Sequence, residues 1–260
     1  MNPLQQLLKH KSGNLLSLFF TAGYPNIDST ESIIASAEKA GIDFLEVGMP
    51  YSDPLADGPV IQQSSSVAIA NGMNIKLLFH QLEQIKGKYK IPLLMMGYLN
   101  PVLQYGTEKF LQQAKDCGVS GLILPDLPLQ EYVEEYQVLF EKHELSFVFL
   151  VTPHTSEERI RLIDSHSNAF IYVVSTAATT GKQQDFGMAQ QNFFNRIKSM
   201  NLKNPLITGF GIHNAQTLQQ AWKNLNGAIC GSAFLKKLEQ NNNPDKAMEM
   251  LLKDLGLKDA

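Results

Sequence analysis

Glu46, Asp53 and Asp57 fall within one short stretch of the chain, and each keeps different company. Glu46 sits in the run Asp43-Phe44-Leu45-Glu46-Val47-Gly48, where strand alternation puts it on the face opposite Leu45 and Val47. A glutamate in the second half of a buried strand is costly unless it is paired or neutral. No basic residue stands at the end of a candidate strand to pair with it. The alternatives are an internal ion pair and a general acid/base whose pKa is raised by apolar neighbours. The loop that follows carries Asp53 and Asp57 among Pro50, Pro54 and Pro59, which limit its conformational freedom. Asp53, followed by Pro54, suits turn chemistry. Asp57 is placed so that the loop can fold it back near Glu46.

A second group lies in the last third of the chain. Thr208-Gly209-Phe210-Gly211-Ile212 and Cys230-Gly231-Ser232-Ala233 each close a β-rich run, and the second opens into a short helix over 234–239. Glycines let backbone N–H groups approach an anion closely, and a helix start adds partial positive charge. The stretch 175–187 is small, polar and without apolar period. It is either a lid or a plain surface loop, and Thr180 and Gly181 offer a hydroxyl and an amide to the same anion. Phe19 and Tyr172 lie on candidate strands, either as core residues or as walls for an aromatic guest. The histidines are scattered without metal-ligand spacing. No lysine ends a strand, which argues against Schiff-base chemistry.

The elements that must carry these groups alternate. Short apolar runs at 15–21, 43–48, 92–97, 121–124, 146–152, 169–175, 205–209 and 227–230 read as strands, most of them apolar on both faces as in a parallel sheet covered on both sides. Amphipathic stretches at 30–40, 75–85, 130–142, 157–164 and 215–222 read as helices, with capping residues at Asp28 or Ser29, Ser156 and Asn214. An extra short helix is expected around 60–70, and Pro244 suits a first helical turn. Eight β/α units predict a closed (β/α)8 barrel, a TIM barrel, as a single domain over 1–260. An open doubly wound sheet would show a Gly-rich turn after the first strand, and Thr21-Ala22-Gly23-Tyr24-Pro25 is not one.

At 260 residues the length suits one such barrel of about 250 residues. Charged residues at 18% and apolar ones at 44% exclude general disorder, and a net charge of −3 offers no basic surface for nucleic acid or an anionic membrane. Cys117 and Cys230 lie in apolar runs and read as buried thiols. No signal or membrane-spanning segment is evident, so a cytoplasmic protein is expected.

From Leu45-Glu46-Val47-Gly48-Met49-Pro50-Tyr51 through Ser52-Asp53-Pro54-Leu55-Ala56-Asp57-Gly58, the sequence resembles the tryptophan synthase alpha chain family. Further matches run along nearly the whole chain, at Phe19-Phe20-Thr21-Ala22-Gly23-Tyr24-Pro25, Met96-Gly97-Tyr98-Leu99-Asn100-Pro101, Pro125-Asp126-Leu127-Pro128, Thr208-Gly209-Phe210-Gly211-Ile212 and Gly231-Ser232-Ala233. The resemblance implies retro-aldol cleavage of indole-3-glycerol phosphate to indole and glyceraldehyde 3-phosphate, with no cofactor in this chain. It implies Glu46 and Asp57 as the catalytic pair. Thr180, Gly181, Gly209, Phe210, Gly211, Gly231 and Ser232 would lie around the phosphate, and Phe19, Ile61, Leu124 and Tyr172 would wall the indole. It further implies a pyridoxal-phosphate-dependent beta chain as partner in an α2β2 tetramer, faced by Asp53 and Pro54. One residue departs from the family pattern Ser-x-x-Gly-x-Thr-Gly: Ala178 takes the place of the glycine, and its methyl restricts the 175–187 loop. Apart from the resemblance, a phosphate cradle also suits a sugar-phosphate isomerase or epimerase, or a non-enzymatic binder of a phosphate ligand.

Overall fold

The computed structural model describes residues 1–55, 57–174, 188–209 and 211–257. The apolar runs become nine parallel strands: β1 (Leu15–Thr21), β2 (Phe44–Gly48), β3 (Leu93–Met96), β4 (Gly121–Ile123), β5 (Ser146–Phe147), β6 (Phe149–Val151), β7 (Ile171–Val173), β8 (Leu206–Thr208) and β9 (Gly227–Cys230). They form one sheet in the order β5-β4-β3-β2-β1-β9-β8-β7-β6. The fifth run is thus two strands and not one. It breaks at Val148, whose N–H donates to the Leu122 carbonyl at 3.0 Å, and its halves are the two ends of the sheet. The sheet therefore curls into a nearly closed TIM barrel with helices around it.

Register sorts the strand residues onto two faces. Ser17 pairs with Phe44 and with Ile229, Phe19 with Glu46, Glu46 with Leu94, Thr21 with Gly48, Gly48 with Met96, and Met96 with Ile123. Paired residues in a parallel ladder share a face, so Phe19, Glu46, Gly48, Met96 and Ile123 line the barrel interior toward its carboxyl rim. Leu18, Phe20, Leu45 and Val47 fall on the outer face beneath the helices, all fully buried. This explains why strands with both parities apolar are stable here.

Helices form where apolar spacing and caps agree. Asn214 accepts from the Thr217 N–H and starts Ala215–Asn224 with a full capping box. Ser156 caps Glu157–His166, and Pro244 is the first residue of Pro244–Asp254. Asp28 occupies the cap position of Ser29–Lys39 without making the side-chain bond. The extra helix is Pro59–Ala70. The stretch expected as one helix over 130–142 runs as Leu129–Glu131, a π-turn Tyr132–Tyr136 and Gln137–Lys142. The wider turn keeps Tyr132 and Tyr136 both buried, with Tyr132 stacked on Phe147 at 4.5 Å. Cys117 and Cys230 are free and buried. No helix among the described residues is long and apolar enough to cross a membrane.

Four helices had no counterpart in the sequence reading: Pro3–His10, Leu99–Tyr105, Thr107–Asp116 and Met188–Ser199. The first lies across the floor of the barrel. The Asn2 amide donates to the Ser120 and Glu144 carbonyls and to Ser146 Oγ, at 2.9 to 3.1 Å, and Gln5 reaches the Asn168 carbonyl at 3.2 Å. Leu4 is fully buried above it.

Candidate active site

Glu46 is 0% exposed, and neither carboxyl oxygen has a hydrogen-bond partner among the described residues. Burial alone drives its pKa up to about 8, so the group is a neutral carboxylic acid at pH 7. The internal ion pair left open by the sequence is not found among the described residues. Tyr172, on β7, stands in the same layer. Its phenol is held well above its ordinary pKa, first by burial and then by the nearby charges of Glu46 and Asp57. Phe170 links Tyr172 to Phe44 in an aromatic column, with ring centres 6.4 Å from Tyr172 and 5.4 Å from Phe44.

The rim glycines give these rings room. A methyl on Gly209 would run into the Tyr172 hydroxyl, and one on Gly48 would lie 2.6 Å from the tip of Phe19. At these two positions glycine follows from the close approach of an aromatic ring, whatever else the backbone does. Gly231 differs. A methyl there would meet Phe19 at 3.5 Å, an ordinary contact, so packing does not require glycine.

Asp57 is brought over the mouth by the loop it sits in. Its N–H donates to the Pro54 carbonyl at 3.0 Å, and the Gln62 amide, one turn into the Pro59–Ala70 helix, donates to the Asp57 carbonyl at 2.9 Å. The Tyr98 hydroxyl donates to Asp57 Oδ2 at 3.2 Å. Desolvation raises the Asp57 pKa to about 6, and the Tyr98 bond opposes part of that rise. At pH 7 Asp57 is therefore mostly ionised, whereas Glu46 is mostly protonated. Environments that separate two carboxyl groups in this way assign a donor and an acceptor.

Phe19, Ile61 and Asp57 line one slot together with Tyr51, Met96 and Tyr98. Its free volume is about 20 Å³, room for a water molecule. A bicyclic ring fits only when the covering residues shift. Leu124 is placed differently from the sequence expectation. β4 ends at Ile123, and Leu124 lines a separate cavity of about 240 Å³ with Phe147, Phe149 and Arg159. Register puts Ile123, paired with Met96, on the inward face instead. A three-residue strand offers too short an alternation for its inward parity to be read from sequence. Tyr51, Met96 and Tyr98 were also missed, although Met96 and Tyr98 fall at the carboxyl end of the third apolar run, where barrel chemistry gathers.

On the opposite rim, Gly211 has a left-handed φ of +79°, and Gly231 precedes the helix Ser232–Asn241, whose first turn has no acidic side chain. Its amides thus face the rim with the partial positive charge of a helix start. Thr180, Gly181, Phe210 and Ala178 lie outside the described residues. Asp53 is exposed and accepts from the Ser52 hydroxyl, and Pro54 lines the slot from the loop.

A parallel barrel with a neutral acid, an ionised carboxylate and an amide-rich rim at its carboxyl end defines a TIM-barrel enzyme of the acid/base class. A profile of the tryptophan synthase alpha chain family matches residues 4–259. The tryptophan synthase alpha chain of Flavobacterium psychrophilum is 54% identical over 241 residues, 93% of this chain and 95% of that one. The crystal structure of the tryptophan synthase alpha chain from Legionella pneumophila superposes with a TM-score of 0.87 at 32% identity, covering 98% and 96% of the two chains. Tryptophan synthase from M. tuberculosis in its aminoacrylate-bound form gives a TM-score of 0.84 at 26% identity, over 99% of each chain. The chain belongs to the tryptophan synthase alpha chain family, whose activity is that of a lyase in tryptophan biosynthesis, cleaving indole-3-glycerol phosphate.

Proposed function

We propose that Glu46 and Asp57 carry out this cleavage as follows. The neutral Glu46 donates its proton to C3 of the indole ring, giving an indoleninium whose ring N–H is acidic. The Asp57 carboxylate accepts a hydrogen bond from that N–H and stabilises the positive charge. Glu46, now a carboxylate, takes the proton of the glycerol hydroxyl beside the ring. A carbonyl forms there, the carbon–carbon bond breaks, and its electron pair restores the aromatic ring. Indole and glyceraldehyde 3-phosphate leave, and Glu46 has its proton back.

Phe19, Ile61 and Tyr172 wall the indole, with Ile123 in the place first given to Leu124. Gly209, Gly211, Gly231 and Ser232 hold the phosphate through backbone N–H groups, joined by Thr180, Gly181 and Phe210. The chain works in the cytoplasm in an α2β2 tetramer, with Asp53 and Pro54 facing a beta chain that holds pyridoxal phosphate and takes over the indole.

The observation that carries this reading is Glu46: a fully buried carboxyl with no hydrogen-bond partner among the described residues, inside the barrel, where Tyr172 feels both it and Asp57. Indole release from indole-3-glycerol phosphate by the purified chain, alone and with a beta chain, tests it. Glu46→Gln and Asp57→Asn are each expected to lose activity by roughly a hundredfold or more while keeping the fold. Near wild-type turnover in Glu46→Gln refutes the proton transfer, and no response to the beta chain refutes the assembly.

A further inference from the structure

Tyr98 occupies an unusual crossing of constraints. Its backbone is clamped from one side, because the N–H of the next residue, Leu99, donates to both carboxyl oxygens of Asp126 at 2.9 and 3.0 Å. Its ring is held from the other side by Tyr51, with ring centres 5.1 Å apart and planes 30° from parallel, and the Asn100 amide donates to the Tyr51 hydroxyl at 3.3 Å. Between these supports the Tyr98 hydroxyl reaches Asp57 Oδ2, and both residues line the slot. Among the described residues no other side chain donates to the Asp57 carboxylate.

We propose that Tyr98 is a positioning residue for the cleavage: its clamped hydroxyl fixes the Asp57 carboxylate in the orientation that receives the substrate's ring N–H. The proposal rests on the reading of Asp57 as that acceptor. A carboxylate on a covering loop has two rotatable bonds of its own, and a single charge-assisted hydrogen bond from a rigid donor removes that freedom before the substrate arrives. The same bond offsets part of the rise in pKa that burial imposes on Asp57. Among the described residues, the titratable groups that face it are Tyr98 from the segment after β3, Tyr51 on its own loop, and Tyr172 from β7. No lysine or arginine lines the slot among the described residues.

The test is the pH dependence of indole release from pH 5 to 9 for the wild type, Tyr98→Phe, Asp57→Asn and the double variant. Tyr98→Phe removes one oxygen and keeps the stacked ring, so the fold is retained. Its kcat is expected to fall roughly tenfold, with KM changed much less. The acidic limb of its kcat profile should move to higher pH by about one unit, because a carboxylate deprived of a donor holds its proton more tightly. The carbon-13 shift of the Asp57 carboxyl, followed through titration of the folded proteins, reads the same change without catalysis. Adding Tyr98→Phe to Asp57→Asn should cost nothing more. A wild-type kcat and acidic limb in Tyr98→Phe overturn the proposal while leaving Asp57 in place, as does a loss confined to KM. Full activity in Asp57→Asn overturns the role of Asp57 itself, and the positioning role with it.

Discussion

The proton on Glu46 links catalysis to stability. An unfolded glutamate ionises near 4.5, whereas in the fold this one holds its proton up to about 8. Between those values the folded chain binds a proton that the unfolded chain has released, so stability falls as pH rises, by about 1.4 kcal/mol per pH unit from this group. Glu46→Gln cannot ionise and escapes that slope. Denaturant melts at pH 5 and pH 8 should show the variant gaining on the wild type at the higher pH, and parallel behaviour would mean that Glu46 is not buried in its neutral form. Glu46 was readable beforehand because a carboxylate in an apolar strand with no basic partner in sequence is conspicuous. Tyr98 was not, because one tyrosine just past a strand end has no period to mark it. At β4 the register turns Ile123 inward in place of Leu124, a shift of a single residue, which on a strand exchanges the inner face for the outer.

At the scale of elements, β7 and β8 are fitted to each other through Tyr172 and Gly209. Gly209→Ala drives a methyl into the phenol and is expected to cost roughly 1–3 kcal/mol while disturbing the proposed indole wall. Gly231→Ala, where a methyl meets only ordinary contacts, should leave the melting temperature nearly unchanged and raise KM by crowding the phosphate. Thermal melts beside steady-state kinetics separate the two, and equal melting temperatures would show that ring approach is not what demands glycine at position 209. The barrel itself could be read from the alternation of apolar runs with amphipathic stretches. What escaped were the break at Val148 and the π-turn at Tyr132–Tyr136, both of which answer to tertiary packing and leave no local signal. The helix Pro3–His10 also went unread, although Asn2 and Pro3 carry the signature of a capped start.

For the molecule as a whole, the mouth is where other molecules meet it. Leu55 is 91% exposed on the loop that carries Asp57, beside Asp53 and Pro54. An apolar side chain so exposed at the rim suits burial by the proposed beta chain. Leu55→Asp is therefore expected to leave indole release by the isolated chain within about twofold and to weaken stimulation by the beta chain by roughly tenfold, a hot-spot loss. Unchanged stimulation would move the contact elsewhere on the rim. The opposite end of the barrel has a quieter effect. With Asn2 stitched beneath β4 and β5, the vessel is stoppered below and is filled and emptied from above. Glu46 is closed off from bulk water in the chain by itself, so under the proposed mechanism the proton taken from one glycerol hydroxyl stays on it until the next indole ring arrives to collect it.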